Sequence, residues 1–69
     1  KKKNIYPTGF IVTEKDIYIS LNNGWLIIVD LLTGKSKEIL KLSNDKISRP
    51  YVFNNYMYIV RNNAILKIN

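Results

Sequence analysis

Tyr18-Ile-Ser-Leu-Asn-Asn-Gly-Trp-Leu-Ile-Ile-Val-Asp-Leu-Leu-Thr-Gly-Lys35 is the stretch whose reading decides the fold. With Ile17 it divides into an apolar run, an Asn22-Asn23-Gly24 turn, a second apolar run and an Asp30-x-x-Thr33-Gly34-Lys35 turn. Ile17, Ile19 and Leu21 alternate with Tyr18 and Ser20, the two-residue period of a β-strand. Asn and Gly tolerate φ > 0, which a two-residue hairpin turn demands, so a hairpin is expected across Asn22–Gly24. Trp25–Val29 is apolar without alternation. A strand covered on both faces loses the alternation, so the hairpin is expected inside a stack of sheets.

Part of the stretch returns forty residues later as Tyr58-Ile-Val-Arg-Asn-Asn-Ala-Ile-Leu-Lys-Ile68. Laying 10–29 on 50–69 without a gap gives seven identities: Val12/Val52, Tyr18/Tyr58, Ile19/Ile59, Asn22/Asn62, Asn23/Asn63, Leu26/Leu66 and Ile28/Ile68. The flanks fit the same plan. Phe10–Thr13 is a short apolar run before a Glu14-Lys15-Asp16 turn, and Asn54-Asn55 takes the place of that turn in the copy. Ser36–Leu42 alternates in polarity, as an outer-edge strand does. Ser43–Arg49 reads as a polar linker, and Pro50 opens the next unit.

A period of roughly 40–50 residues with four strands per unit belongs to β-propellers. The expected fold is therefore all-β, built of antiparallel four-stranded propeller blades. Residues 1–9 form a lead-in, 10–42 a first blade, and 43–69 a second, incomplete blade of three strands. The lead-in is placed where the fourth strand of a preceding unit would end.

Composition narrows the function classes. A 69-residue chain buries only about 60% of the surface it exposes unfolded, so its core is marginal without a staple. It has no Cys and no His, so neither disulfides nor the usual zinc ligands are on hand. Yet 46% of its residues are apolar, more than one isolated sheet can hide. The buried faces are expected to want neighbours, and the chain to self-associate through blade faces and edges. The net charge of +6 invites a nucleic-acid or anionic-membrane reading. The lysines are scattered, at the N-terminal end (Lys1–Lys3) and on the polar strand and loop (Lys35, Lys37, Lys41, Lys46), where they solvate edges. Nucleic acid is not the expected partner. No apolar run approaches the roughly 20 residues of a membrane-spanning helix, so no transmembrane segment is expected.

The residues that attract a chemical reading have structural alternatives that fit better. Asp30 opens a turn, where its carboxylate accepts backbone N–H bonds; Glu14 and Asp16 shape another. Trp25 and the five tyrosines suit packing between sheets, with a stacking platform as the functional alternative. Arg49 and Arg61 are read as solvated. No nucleophile elbow or phosphate loop is present, and neither catalytic, cofactor-binding nor metal residues are assigned. The chain is expected not to be an enzyme and to use no cofactor.

Ile28-Val-Asp30-Leu-Leu-Thr33-Gly34-Lys35, preceded by Tyr18-Ile and Gly24, resembles the blade repeat of the quinoprotein-like (PQQ-repeat) propellers. That family places Ala-x-Asp-x-x-Thr-Gly-Lys-x-x-Trp across the third strand, its turn and the fourth strand. Asp30, Thr33, Gly34 and Lys35 match; Ile28 stands for the usual Ala and Glu38 for the docking Trp. The repeat motif is thus Asp30, Thr33, Gly34 and Lys35 with the turns Asn22, Asn23, Gly24 and Asn62, Asn63. The resemblance spans about 7–69 as architecture, with the specific motif in the first unit alone. It implies one of two branches. One is a non-catalytic scaffold of the outer-membrane assembly lipoprotein (BamB) type, periplasmic and tethered to the outer membrane, with the β-barrel assembly machinery as partner. The other is a dehydrogenase blade that helps hold a quinone and calcium. The missing Trp and the absence of a carboxylate cluster favour the scaffold, leaving the dehydrogenase blade and the basic surface binder as alternatives.

Overall fold

The computed structural model of the chain describes residues 4–68 and is all-β. Its strands are β1 (Pro7–Val12), β2 (Asp16–Leu21), β3 (Trp25–Asp30), β4 (Ser36–Lys41), β5 (Tyr51–Phe53), β6 (Tyr56–Arg61) and β7 (Ala64–Lys67). They form two antiparallel sheets, β1-β2-β3-β4 and β5-β6-β7, each in sequence order. β1 begins at Pro7, so residues 7–9 belong to the first sheet rather than to a lead-in. A register shift between Pro7 and Gly9 marks where the strand enters. Lys1–Lys3, the first residues of the expected lead-in, and Asn69 lie outside the described residues.

The turns explain the registers. Thr13 closes the β1–β2 turn by donating its N–H to the Asp16 carbonyl (2.8 Å), while its hydroxyl accepts from the Asp16 N–H (3.1 Å). Asn54 and Asn55 do the same work with φ of 52° and 67°, a two-residue turn in which both residues are left-handed. Both hairpins keep the forty-residue correspondence: Val12 pairs Ile17, and Val52 pairs Met57.

The next hairpins break it. Leu21 and Trp25 flank a three-residue loop in which only Gly24 has positive φ (90°). The Asn22–Gly24 turn is therefore not the expected two-residue hairpin. In the second unit Ala64 follows the two asparagines, and a Cβ makes the left-handed conformation costly. Asn62 and Asn63 take it on instead (φ 46° and 64°), and Arg61 pairs Ala64 across a two-residue turn. The register slips by one. Tyr18 faces Ile28, but Tyr58 faces Lys67 rather than Ile68. A slip of one residue exchanges faces, so Leu66 and Ile68 are not the counterparts of Leu26 and Ile28 that the ungapped alignment pairs.

The core lies between the sheets. Leu26, Ile47 and Ile59 are fully buried, and Tyr18, Leu40, Leu42 and Ile68 pack against them. Leu26 comes from the first sheet, Ile59 from the second, and Ile47 from the linker (43–50), which is apolar where it matters. The linker is clamped by two glycines. A Cβ on Gly24 would sit 2.1 Å from the Ser43 carbonyl oxygen, and one on Gly9 would sit 2.3 Å from Arg49 Cβ. Gly24 C=O accepts from the Leu42 N–H at 2.9 Å, and Thr8 Oγ1 donates to the Ile47 carbonyl at 2.9 Å. Ser20, fully buried, has its Oγ 2.9 Å from Thr8 Oγ1. Among the described residues only one face of each sheet is covered. Ile27 and Val29, expected to be stacked upon, are half-buried on an open face.

Candidate functional site

The motif turn is a structural fastening. Asp30 Oδ1 accepts the backbone N–H of Leu32 (2.8 Å) and of Thr33 (3.1 Å), and its carbonyl accepts the Gly34 N–H (2.8 Å). Thr33 Oγ1 accepts the Lys35 N–H at 3.2 Å, and the Asp30 N–H closes the turn on the Lys35 carbonyl at 2.8 Å. Gly34 supplies the left-handed residue at φ 76°. The N–H bonds from Thr33 and Leu32 favour the carboxylate and hold Asp30 below its ordinary range, with Lys37 adding attraction. Leu31 N–H donates to the Lys15 carbonyl, so this turn is also tied to the β1–β2 turn.

The asparagine turns lie at the other end of the strands. Asn22 accepts the Tyr6 N–H on Oδ1 and donates from Nδ2 to the Asn4 carbonyl, both at 2.9 Å, which holds 4–6 alongside the hairpin. Asn62 and Asn63 make the tight turn of the second sheet and are exposed. The nine motif residues are thus divided between two ends, and they converge on no common point.

Two concavities stand out among the described residues. A cleft of about 530 Å³ opens between the sheets, with Ile28, Leu40 and Met57 at its floor and Thr13, Glu38 and Asn55 on its rim. A shallower groove of about 300 Å³ runs past Lys41, Asn44 and Arg61. Arg61 is already engaged there, donating from Nη1 to the Leu42 carbonyl at 2.6 Å. Lys37 Nζ reaches Asp16 Oδ1 at 2.9 Å across the first sheet. That hydrogen bond and the Asp16 charge raise the Lys37 pKa. Among the described residues no group of three or more His, Cys, Asp or Glu side chains is placed to hold a metal ion. They include no helix long and apolar enough to cross a membrane.

The larger features are the open faces of the sheets. On the first, Phe10, Val12 and Ile39 are more than half exposed, beside half-buried Ile17, Ile19 and Ile27. On the second, Tyr51 pairs Tyr58 and Phe53 pairs Tyr56, so four rings share one face. Lys67 Nζ lies 3.8 Å from the Tyr56 ring centroid, and Arg49 Cζ lies 6.0 Å from that of Tyr51. This aromatic face was readable in the sequence. Tyr51-x-Phe53 and Tyr56-x-Tyr58 about a two-residue turn place all four rings on one side. Ile47 offered no such signal, being one apolar residue in a polar segment.

Comparison with protein-family models, with curated proteins and with solved structures found no match to this chain.

Proposed function

We propose that this chain is a non-catalytic protein-interaction scaffold made of adjacent propeller blades. The observation that carries the reading is the pair of exposed apolar faces, one on each side of a two-sheet stack whose own core residues are Leu26, Ile47 and Ile59. Contiguous exposed apolar patches mark interaction surfaces. The four-stranded sheet, with its Asp30–Lys35 turn fastened by two backbone hydrogen bonds of Asp30 and two that its carboxylate accepts, supports the PQQ-like blade reading of the first unit. On that reading the partner is a protein of the outer-membrane β-barrel assembly machinery, and the setting is the periplasm, tethered to the outer membrane.

The test is binding to purified assembly machinery, with a photoreactive residue placed at Phe53 or at Phe10. Crosslinks to a machinery subunit that are suppressed by unlabelled chain are the expected outcome. Absence of crosslinks from both positions, with the chain folded, removes the assembly reading. The basic-binder alternative has its own observation in Arg49 and Lys67 beside the aromatic face, and it predicts binding to single-stranded nucleic acid that falls steeply with salt. A dehydrogenase role predicts dye reduction when quinone and calcium are supplied.

A further inference from the structure

The two sheets are stacked front to back, and this decides what their open faces accept. Met57 and Ile59 face the core on the second sheet. Their counterparts forty residues earlier, in a hairpin of the same register, are Ile17 and Ile19 on the open face of the first. Conversely Tyr18, packed on the core, corresponds to Tyr58 on the open face of the second. The second sheet therefore offers to the first the kind of face that the first leaves uncovered. One free front, carrying Phe10 and Ile39, and one free back, carrying Phe53 and Ile65, remain on the same molecule. We propose that these faces are partners: the open back of the second sheet in one copy seats on the open front of the first sheet in another copy, repeating the internal stack.

This contact is heterologous, head to tail, and yields a ring or an extended stack according to the rotation per step. A two-fold dimer would instead pair front with front or back with back, a combination the chain does not use within itself. The exposed area drives the contact: Phe10 is 59% exposed, Ile39 53%, Phe53 67% and Ile65 71%. Lys67 opposes it, because its ammonium over Tyr56 must swing to the rim before a second sheet can seat. The inference rests on the packing of the two sheets and not on the scaffold reading, so either can fail without the other.

Sedimentation of the wild-type chain and two double variants tests it. Phe10→Glu with Ile39→Glu blocks the front; Phe53→Glu with Ile65→Glu blocks the back. All four positions are more than half exposed, so the fold is retained, as far-ultraviolet circular dichroism checks. Wild type is expected to grow beyond a dimer with concentration, and each variant alone to stay monomeric. An equimolar mixture of the two variants is expected to give a one-to-one dimer, since it retains one intact front and one intact back. A monomeric wild type, either variant dimerising alone, or a mixture that stays monomeric overturns the proposal. Lys67→Leu gives an independent reading: assembly should begin at about tenfold lower concentration, and an unchanged midpoint also overturns it.

Discussion

Two glycines and one aspartate show how much a single residue carries here. Gly24 and Gly34 both have positive φ, but a Cβ would strike the Ser43 carbonyl only at Gly24 and meets nothing within 4 Å at Gly34. Backbone strain alone costs roughly 1–2 kcal/mol for an L side chain. Gly34→Ala should therefore lose about that much, and Gly24→Ala clearly more, with the linker displaced. Urea midpoints of the two variants measure the difference, and equal shifts would show that Ser43 yields freely. Asp30 adds a pH dependence. Its folded pKa is depressed, so it contributes stability that is present above its unfolded value of 3.8 and is lost as pH falls through the folded value. Asp30→Asn should flatten the acid limb of a melting-temperature profile while leaving the neutral region nearly level. Lys37 acts at the opposite end. Its raised pKa gives stability present below 10.5 that disappears as pH rises through the folded value, a surface effect that added salt should erase.

At the scale of the element, the strands were legible and their registers were not. Alternation in 17–21, the polar turns around it and the forty-residue repeat point to the strands of both sheets, although β3 is apolar on both faces with only one of them covered. The slip between hairpins is hidden in identical letters: Asn22-Asn23 and Asn62-Asn63 adopt different conformations because Gly24 follows one pair and Ala64 the other. The residue after the turn was the signal. It predicts that Asn63→Gly and Asn55→Gly relieve left-handed backbone and raise stability by a few tenths to about 1 kcal/mol. Asn23→Gly, at negative φ, should instead lower stability through added chain entropy. Thermal melts of the three variants check this, and a gain for Asn23→Gly would contradict the three-residue loop. The candidate site was less legible than the fold. The motif residues are bound into turns, and the open faces depend on which side of each sheet the core covers.

The whole molecule is held together by a residue that composition gives no reason to notice. The two sheets meet through Leu26 and Ile59, and Ile47 of the linker is buried with them at 1% exposure. A domain of this size has on the order of 3–10 kcal/mol of stability to lose, at roughly 0.05–0.15 kcal/mol per residue. Truncating a buried Ile to Ala costs about 2–5 kcal/mol. Ile47→Ala should therefore leave a measurable unfolded population at 25 °C. Ile47→Val, costing about 0.5–1.5 kcal/mol, should keep the fold with a lower urea midpoint. Ile5→Ala, at a position 61% exposed, should move the midpoint little. Trp25, half-buried on the first sheet, reports that sheet by fluorescence, and tyrosine circular dichroism adds the second sheet, where Tyr51, Tyr56 and Tyr58 lie, to the signal of Tyr18 on the first. If Ile47 joins the sheets, both probes follow one curve in the wild type and separate in Ile47→Ala, the three-stranded sheet melting first because it has fewer strands and less covered surface. Coincident curves with an Ile47→Ala midpoint equal to that of Ile5→Ala would mean that the sheets hold each other without the linker.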